Sequence, residues 1–175
     1  MENIRYPIGK FVFDVDITAE KRGAWIRDIG GLPAKLRSAV AGLSDQQLDT
    51  PYRDGGWTVR QLTHHIADSH MNAFIRWKLA LTETGPTIKP YDQDEWATTG
   101  DVTGTDVEPS LALLDGLHAR WVRLLGSLSP SDFQRIFNHP ESGVVTLERQ
   151  LQLYAWHGRH HVAHILSLRE RKDWK

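Results

Sequence analysis

Residues 146–169 read TLERQLQLYAWHGRHHVAHILSLR, with Leu147, Leu151, Tyr154, Gly158, Val162 and Ile165 recurring at helical spacing. At about 100° per residue these positions form one inward face, so the stretch is a long helix opened by Thr146. The same helix carries four histidines in the eight residues from His157 to His164. His157 and His161 stand four apart, which stacks two imidazoles on one face. His161 falls inside the inward arc and His157 on its flank. His160 and His164 share that spacing but are rotated further toward solvent and rank second. A second cluster, His64, His65 and His70 in QLTHHIADSH (61–70), can supply a third ligand from another helix.

Working outward, the rest of the chain also reads as helices punctuated by Pro and Gly. A first helix starts near Thr18 and ends by Gly42, weakened in its middle by Gly30 and Gly31. After the turn at residues 50–56, Thr58 and Gln61 have capping-box spacing for a second helix reaching Thr82. A third fits Pro109 to Leu128, with Pro early and Leu111, Leu114, Leu117, Trp121, Leu124 and Leu125 as its stripe. Residues 129–137 read as a short extra helical piece, and 138–143 as a turn. The expected fold is all-α: one domain spanning 1–175, a four-helix bundle with a long loop between its second and third helices.

Composition limits what such a bundle does. The 175 residues suffice for a substantial core, and 21 Lys plus Arg against 22 Asp plus Glu leave no basic excess to attract nucleic acid or anionic lipid. With no Cys, any metal must be bound through nitrogen and oxygen, which points to imidazole. MENIRYPIGK lacks a signal-peptide pattern, and no apolar run approaches the roughly 20 residues that span a bilayer, so a cytoplasmic protein is expected.

The second helix carries a polar stripe, Gln61, His65, Asp68, Ser69, Asn72 and Arg76. On one side lie Val59, Leu62, Ile66, Ala73, Trp77 and Leu81, and on the other Ile75 and Leu79. A polar stripe with apolar borders suits a helix lining a cavity inside the bundle. His64 points elsewhere and His70 falls on the main apolar face, so periodicity favours His65. Asp68, Ser69, Asn72 and Arg76 are the candidate catalytic groups, with Asp68 the candidate base. Asp68 and Arg76 also have an ordinary reading as helix-surface charges, and the seven Trp as core filler.

Three segments together, YPIG (6–9), LDTPYRDGGWTVRQLTHHIADSHMNAF (48–74) and YAWHGRHHVAHI (154–165), resemble the YfiT-like branch of the DinB-like helix-bundle superfamily. The resemblance covers nearly the whole chain in matching order. That branch is described as metal-dependent hydrolases and includes bacillithiol S-transferases. Its pattern places a Trp-Ser/Thr pair ahead of the second helix, a histidine eight positions on, and a closing H-x-x-x-H followed by an aliphatic residue. Trp57, His65, His157, His161 and Ile165 match it, in the register that helical phase favours. The resemblance implies one divalent metal per subunit, Zn or Ni, a small-molecule substrate, bacillithiol as a thiol co-substrate in the transferase case, and a homodimer.

Three imidazoles leave a coordination position open, as in catalytic rather than structural metal sites. Such a metal lowers the pKa of bound water or holds a thiol as thiolate. HGRHH lacks the Glu that equips H-E-x-x-H proteases with a base, so a hydrolase here needs its base elsewhere. Thiol transfer has no such requirement. A non-catalytic metal- or ligand-binding bundle is the alternative.

The segment 84–108, about 25 residues without an evident helical or strand pattern, either pins a connection between parallel helices or shapes the pocket. Tyr91 and Trp96 are its expected anchors. Arg53 and Tyr91 are candidate substrate contacts, although Arg53 could equally hold its turn through Asp54.

Overall fold

The computed structural model describes residues 4–175, and four long helices form its frame. α1 (Ala19–Val40) begins at Thr18, whose hydroxyl accepts the Lys21 amide. A single turn, α2 (Asp45–Leu48), leads to α3 (Val59–Thr82), where both halves of the expected capping box between Thr58 and Gln61 are made. After the short α4 (Gln93–Trp96) come α5 (Glu108–Gly126), with Pro in its first turn, and α6 (Leu147–Arg171), capped by Thr146. No helix of the described residues is long and apolar enough to cross a membrane.

One expectation fails between α5 and α6. Residues 129–137 do not continue as a helical piece: after a 3-10 turn at Asp132–Gln134 the chain extends into β1 (Ile136–His139), paired antiparallel with β2 (Gly143–Thr146). The all-α bundle therefore carries a small hairpin. Phe137 and Val145 face each other across the ladder and both are buried, while Val144 stays exposed, so alternation rather than helical period governs here. Gly143 enters β2 at φ 74°, a backbone region that favours glycine.

The long connection is less irregular than its composition suggests. It contains α4, and Thr87 bridges to Asn138 of β1. Its anchors are also different. Tyr91 and Trp96 pack on each other with ring centroids 4.4 Å apart, but Trp96 remains exposed. Ile88, Ala97, Val102 and Val107 are the residues that go into the core.

Glycine leaves no room for a side chain at two helix contacts. A Cβ at Gly158 of α6 would lie 2.8 Å from Leu32 Cδ2 of α1, and one at Gly30 would lie 3.0 Å from Val122 of α5. The two glycines that weaken α1 in isolation include one that lets a neighbouring helix approach. The apolar interior then divides along the bundle axis. Leu32, Leu62, Ile66, Leu111, Leu114, Val162 and Ile165 pack in one half. Ile29, Ala73, Trp77, Trp121, Leu125, Leu151 and Tyr154 pack in the other. Between them in sequence, on three helices, stand His70, His118 and His157.

Candidate metal centre

His65 on α3 and His157 and His161 on α6 converge as the spacing predicts. His157 Nε2 lies 3.4 Å from His65 Nε2 and 3.1 Å from His161 Nε2. One ligand atom from each of the three fits within a 4.8 Å cluster. Tetrahedral zinc with Zn–N near 2.05 Å separates its nitrogen ligands by about 3.3 Å, and the two separations made by His157 match that spacing.

Burial keeps these rings in the ligand form. It pushes the His65 pKa down to about 4. His157 and His161 fall well below the usual imidazole value, first through burial and then through neighbouring histidines. Neutral imidazole, with a lone pair on nitrogen, is the form that binds metal.

The second register is present too, and differently placed from its expectation. His160 and His164 are not turned to solvent: they are 7% and 2% exposed. The Trp156 ring stacks on His160 at 4.3 Å, Tyr6 approaches it from the N-terminal segment, and Tyr52 covers His164 at 4.1 Å. One helix's periodicity carries no trace of such covering segments. With His161, these two also make a cluster of metal-ligating atoms. The electrostatics differ, however. Burial takes His164 down to about 3, with His160 and the guanidinium groups of Arg53 and Arg171 adding to the shift. Positive charge that disfavours an imidazolium also disfavours a cation.

The trio opens into a cavity of about 460 Å³, lined also by Arg5, Tyr6, Arg53, Trp57, Gln93 and Asp94. Local structure explains the rim. The Tyr52 amide donates to the Trp57 carbonyl, closing the 52–57 turn, and Trp57 leans on His65 at 4.5 Å. Trp57 Nε1 donates to Asp94 on α4 at 3.1 Å, drawing the long connection over the site. Arg53 lines the cavity as expected, and its Nη1 holds the turn by donating to the backbone carbonyl of Asp54.

A second cavity of about 420 Å³ meets the first at His157 and Gln93 and contains Ser69, Arg76, Tyr91 and Tyr154. Ser69 Oγ and Tyr154 OH are 3.2 Å apart. Asn72 lies with Tyr91 and Trp96 in a further surface cavity, and donates its own amide to the Asp68 carbonyl. Asp68 lines neither of the cavities that meet at His157. Its carboxyl is raised to about 6, chiefly by burial and then by Asp101. His64 points away, as expected, toward Ser110 and Thr105.

Gln93 and Asp94 went unforeseen because they sit in a stretch without periodic signal. His70, which periodicity sets aside as a ligand, and His118, which the sequence reading does not single out, both fall on apolar stripes. His70 Nε2 is 3.2 Å from His157 Nδ1, and His70 Nδ1 is 3.1 Å from His118 Nε2. His118 occupies the position between Leu114 and Trp121 where a hydrophobic residue would be ordinary, and a polar residue there was the available signal.

A four-helix bundle with a histidine trio at the floor of an open cavity is the class that fold and site define. The DinB superfamily model matches residues 31–165, and the chain belongs to that superfamily. It is 56% identical to a Bacillus mycoides protein named putative metal-dependent hydrolase, over 99% of this chain and 100% of that one. An Oceanobacillus iheyensis protein of the same name is 55% identical over 98% and 99%. Among solved structures, YfiT from Bacillus subtilis, described as a probable metal-dependent hydrolase with an unusual four-helix bundle topology, superposes with TM-score 0.96 at 50% identity, covering 99% of both chains. The four-helix bundle protein TT2238, at 19% identity and TM-score 0.56, shares the fold over 81% of this chain and 94% of its own.

Proposed function

We propose that His65, His157 and His161 hold one divalent cation, of the zinc or nickel kind, and that the chain is a metal-dependent enzyme directing a nucleophile at a small electrophilic substrate. The observation that carries this reading is the convergence of three Nε2 atoms at the floor of an open cavity. Three protein ligands with space beside them make a catalytic arrangement, whereas a structural site closes with a fourth. When bound, the cation supplies Lewis acidity to a water or a thiol. The names of the Bacillus and Oceanobacillus relatives support the hydrolytic form.

The chain's own groups divide the remaining work. Arg5 and Arg53 offer positive charge at the rim for an anionic group on the substrate. Trp57 and Trp156 flank the histidines with apolar surface. Asp94 is the one carboxylate lining this cavity among the described residues, and takes up the proton that a water nucleophile releases. A thiol that would lose its proton to solvent on binding the cation needs no separate base during attack, which leaves Asp94 dispensable. Attack by a low-molecular-weight thiol such as bacillithiol is the second form of the same chemistry, favoured by the two arginines, which suit a carboxylate-bearing thiol.

Metal-loaded protein assayed on esters and amides, and on a generic electrophile with and without bacillithiol, cysteine and glutathione, separates the two. Thiol-independent turnover that falls in Asp94→Asn supports hydrolysis, and thiol-dependent turnover that survives it supports transfer. If His65→Ala, His157→Ala and His161→Ala each keep wild-type metal stoichiometry, the ligand assignment is overturned.

A further inference from the structure

Pro33 sits inside α1, where it has no N–H to give to the carbonyl four residues earlier, that of Ile29. That carbonyl is not left alone. His118 Nδ1, from α5, approaches Ile29 O at 2.6 Å. The far side of the same ring meets His70, which meets His157, so four helices are joined in one polar line through the layer between the apolar halves. His70 and His118 are 0% and 1% exposed, closed off from bulk solvent.

A carbonyl oxygen only accepts, and this fixes the protons in turn. His118 Nδ1 must carry hydrogen, and in a neutral ring its Nε2 is then a bare acceptor. The group facing that acceptor is His70 Nδ1, which therefore donates and leaves His70 Nε2 bare. His157 Nδ1 donates to His70 Nε2 by the same logic. The end of the sequence is His157 Nε2, stripped of hydrogen and aimed at the Nε2 atoms of His65 and His161.

We infer that Pro33, by vacating the Ile29 carbonyl, sets a one-way hydrogen-bond relay through His118 and His70 that locks His157 in the Nδ1–H tautomer, its Nε2 lone pair presented to the cation. His70 and His118 are positioning residues. They hold the ring plane and tautomer of a ligand and touch neither substrate nor metal. Burial, which drives His70 well below its ordinary pKa and His118 down to about 4, is consistent with rings that stay neutral throughout. The relay rests on the metal reading for its purpose but not for its existence, and the test separates them.

Long-range proton–nitrogen NMR spectra of the metal-free protein near pH 7.5 read each ring's tautomer directly. Wild type is expected to show Nδ1–H on His118, His70 and His157; Nε2–H on any of them overturns the relay. Two variants extend the test. The Gln amide in His118→Gln can donate to Ile29 and accept from His70, so the His157 tautomer and zinc affinity should stay near wild type. His118→Phe does neither, and should give mixed tautomers at His157 and zinc binding weaker by roughly 10–100-fold. A merely structural role would make both variants less stable without separating them in tautomer. A pure Nδ1–H His157 in His118→Phe would sink the proposal. Wild-type tautomers as expected with neither zinc nor nickel bound would uphold the relay and overturn the metal reading instead.

Discussion

Leu32 of α1 seats both its terminal methyls where a side chain of residue 158 would begin, at 2.8 and 3.0 Å from the Cβ position that Gly158 lacks. The residue before this contact is His157. The absence of a side chain at 158 thus sets how closely α6 lies on α1, and with it the depth at which the His157 ring is held.

Gly158→Ala should therefore be destabilising although alanine is the better helix former. Helix propensity alone favours alanine by about 1 kcal/mol, while overpacking a close helix contact costs about 1–3 kcal/mol. The expected outcome is a net loss in urea unfolding, recovered in Leu32→Ala/Gly158→Ala relative to Leu32→Ala alone. A stabilised single variant would show that the contact yields without strain.

Metal binding should appear in stability as well as in stoichiometry. At a free concentration 100 times Kd, a cation that binds only the folded chain adds about 2.7 kcal/mol, or roughly 5–10 °C in Tm at this size. Zinc or nickel should raise Tm by that amount in wild type and in His160→Ala, and leave His157→Ala unmoved. A full shift in His157→Ala would assign the cation to the other histidines.

Arg22, half-buried, and Glu148, buried, pair at 2.6 Å, with side chains 17% and 3% exposed, and Arg22 also lies over the Phe133 ring at 4.6 Å. Removing only the cation leaves a carboxylate without its partner inside the protein, so Arg22→Met should cost about 3 kcal/mol at pH 7. Replacing both, as in Arg22→Met/Glu148→Leu, should recover most of it. Equal losses in chemical denaturation of the single and double variants would place the cost in packing rather than in charge.

Asp68 makes a pH-dependent prediction whose sign follows from its environment. Burial, with Asp101 nearby, raises its folded pKa from 3.8 to about 6. The folded state therefore binds the proton more tightly than the unfolded chain, and stability falls as pH rises from about 4 through about 6. Because the group is only partly buried, the penalty above that window is about 1 kcal/mol, well under the full shift. Asp68→Asn should gain roughly 2–4 °C in Tm over wild type at pH 7.5 and nothing at pH 4. A gain independent of pH would assign the effect to something other than ionisation.

The elements legible in the sequence are those whose signal is local. Thr18, Thr58 and Thr146 each begin a helix where a hydroxyl can accept an amide three residues on, and all three caps form. The phase of α6 selects His157 and His161, and the polar stripe of α3 selects His65. The hairpin at 136–146 was hidden because four-residue strands offer too few positions for alternation to outweigh a helical reading. Burial of His160 and His164 was hidden because Tyr6 and Tyr52, which cover them, lie far away in sequence.

Side-chain order along a helix settles which groups share a face, so four helices, their caps and a histidine trio could be written down from residue types and spacing. Which nitrogen meets which could not, because that depends on how far one helix lies from the next. The approach of α6 to α1 over Gly158, the reach of His118 to a carbonyl that Pro33 leaves free, and the draw of Asp94 over His65 by Trp57 all join residues distant in the chain. Contacts of this kind arise only when packing has fixed distances to a fraction of an ångström, and periodicity carries no information at that scale.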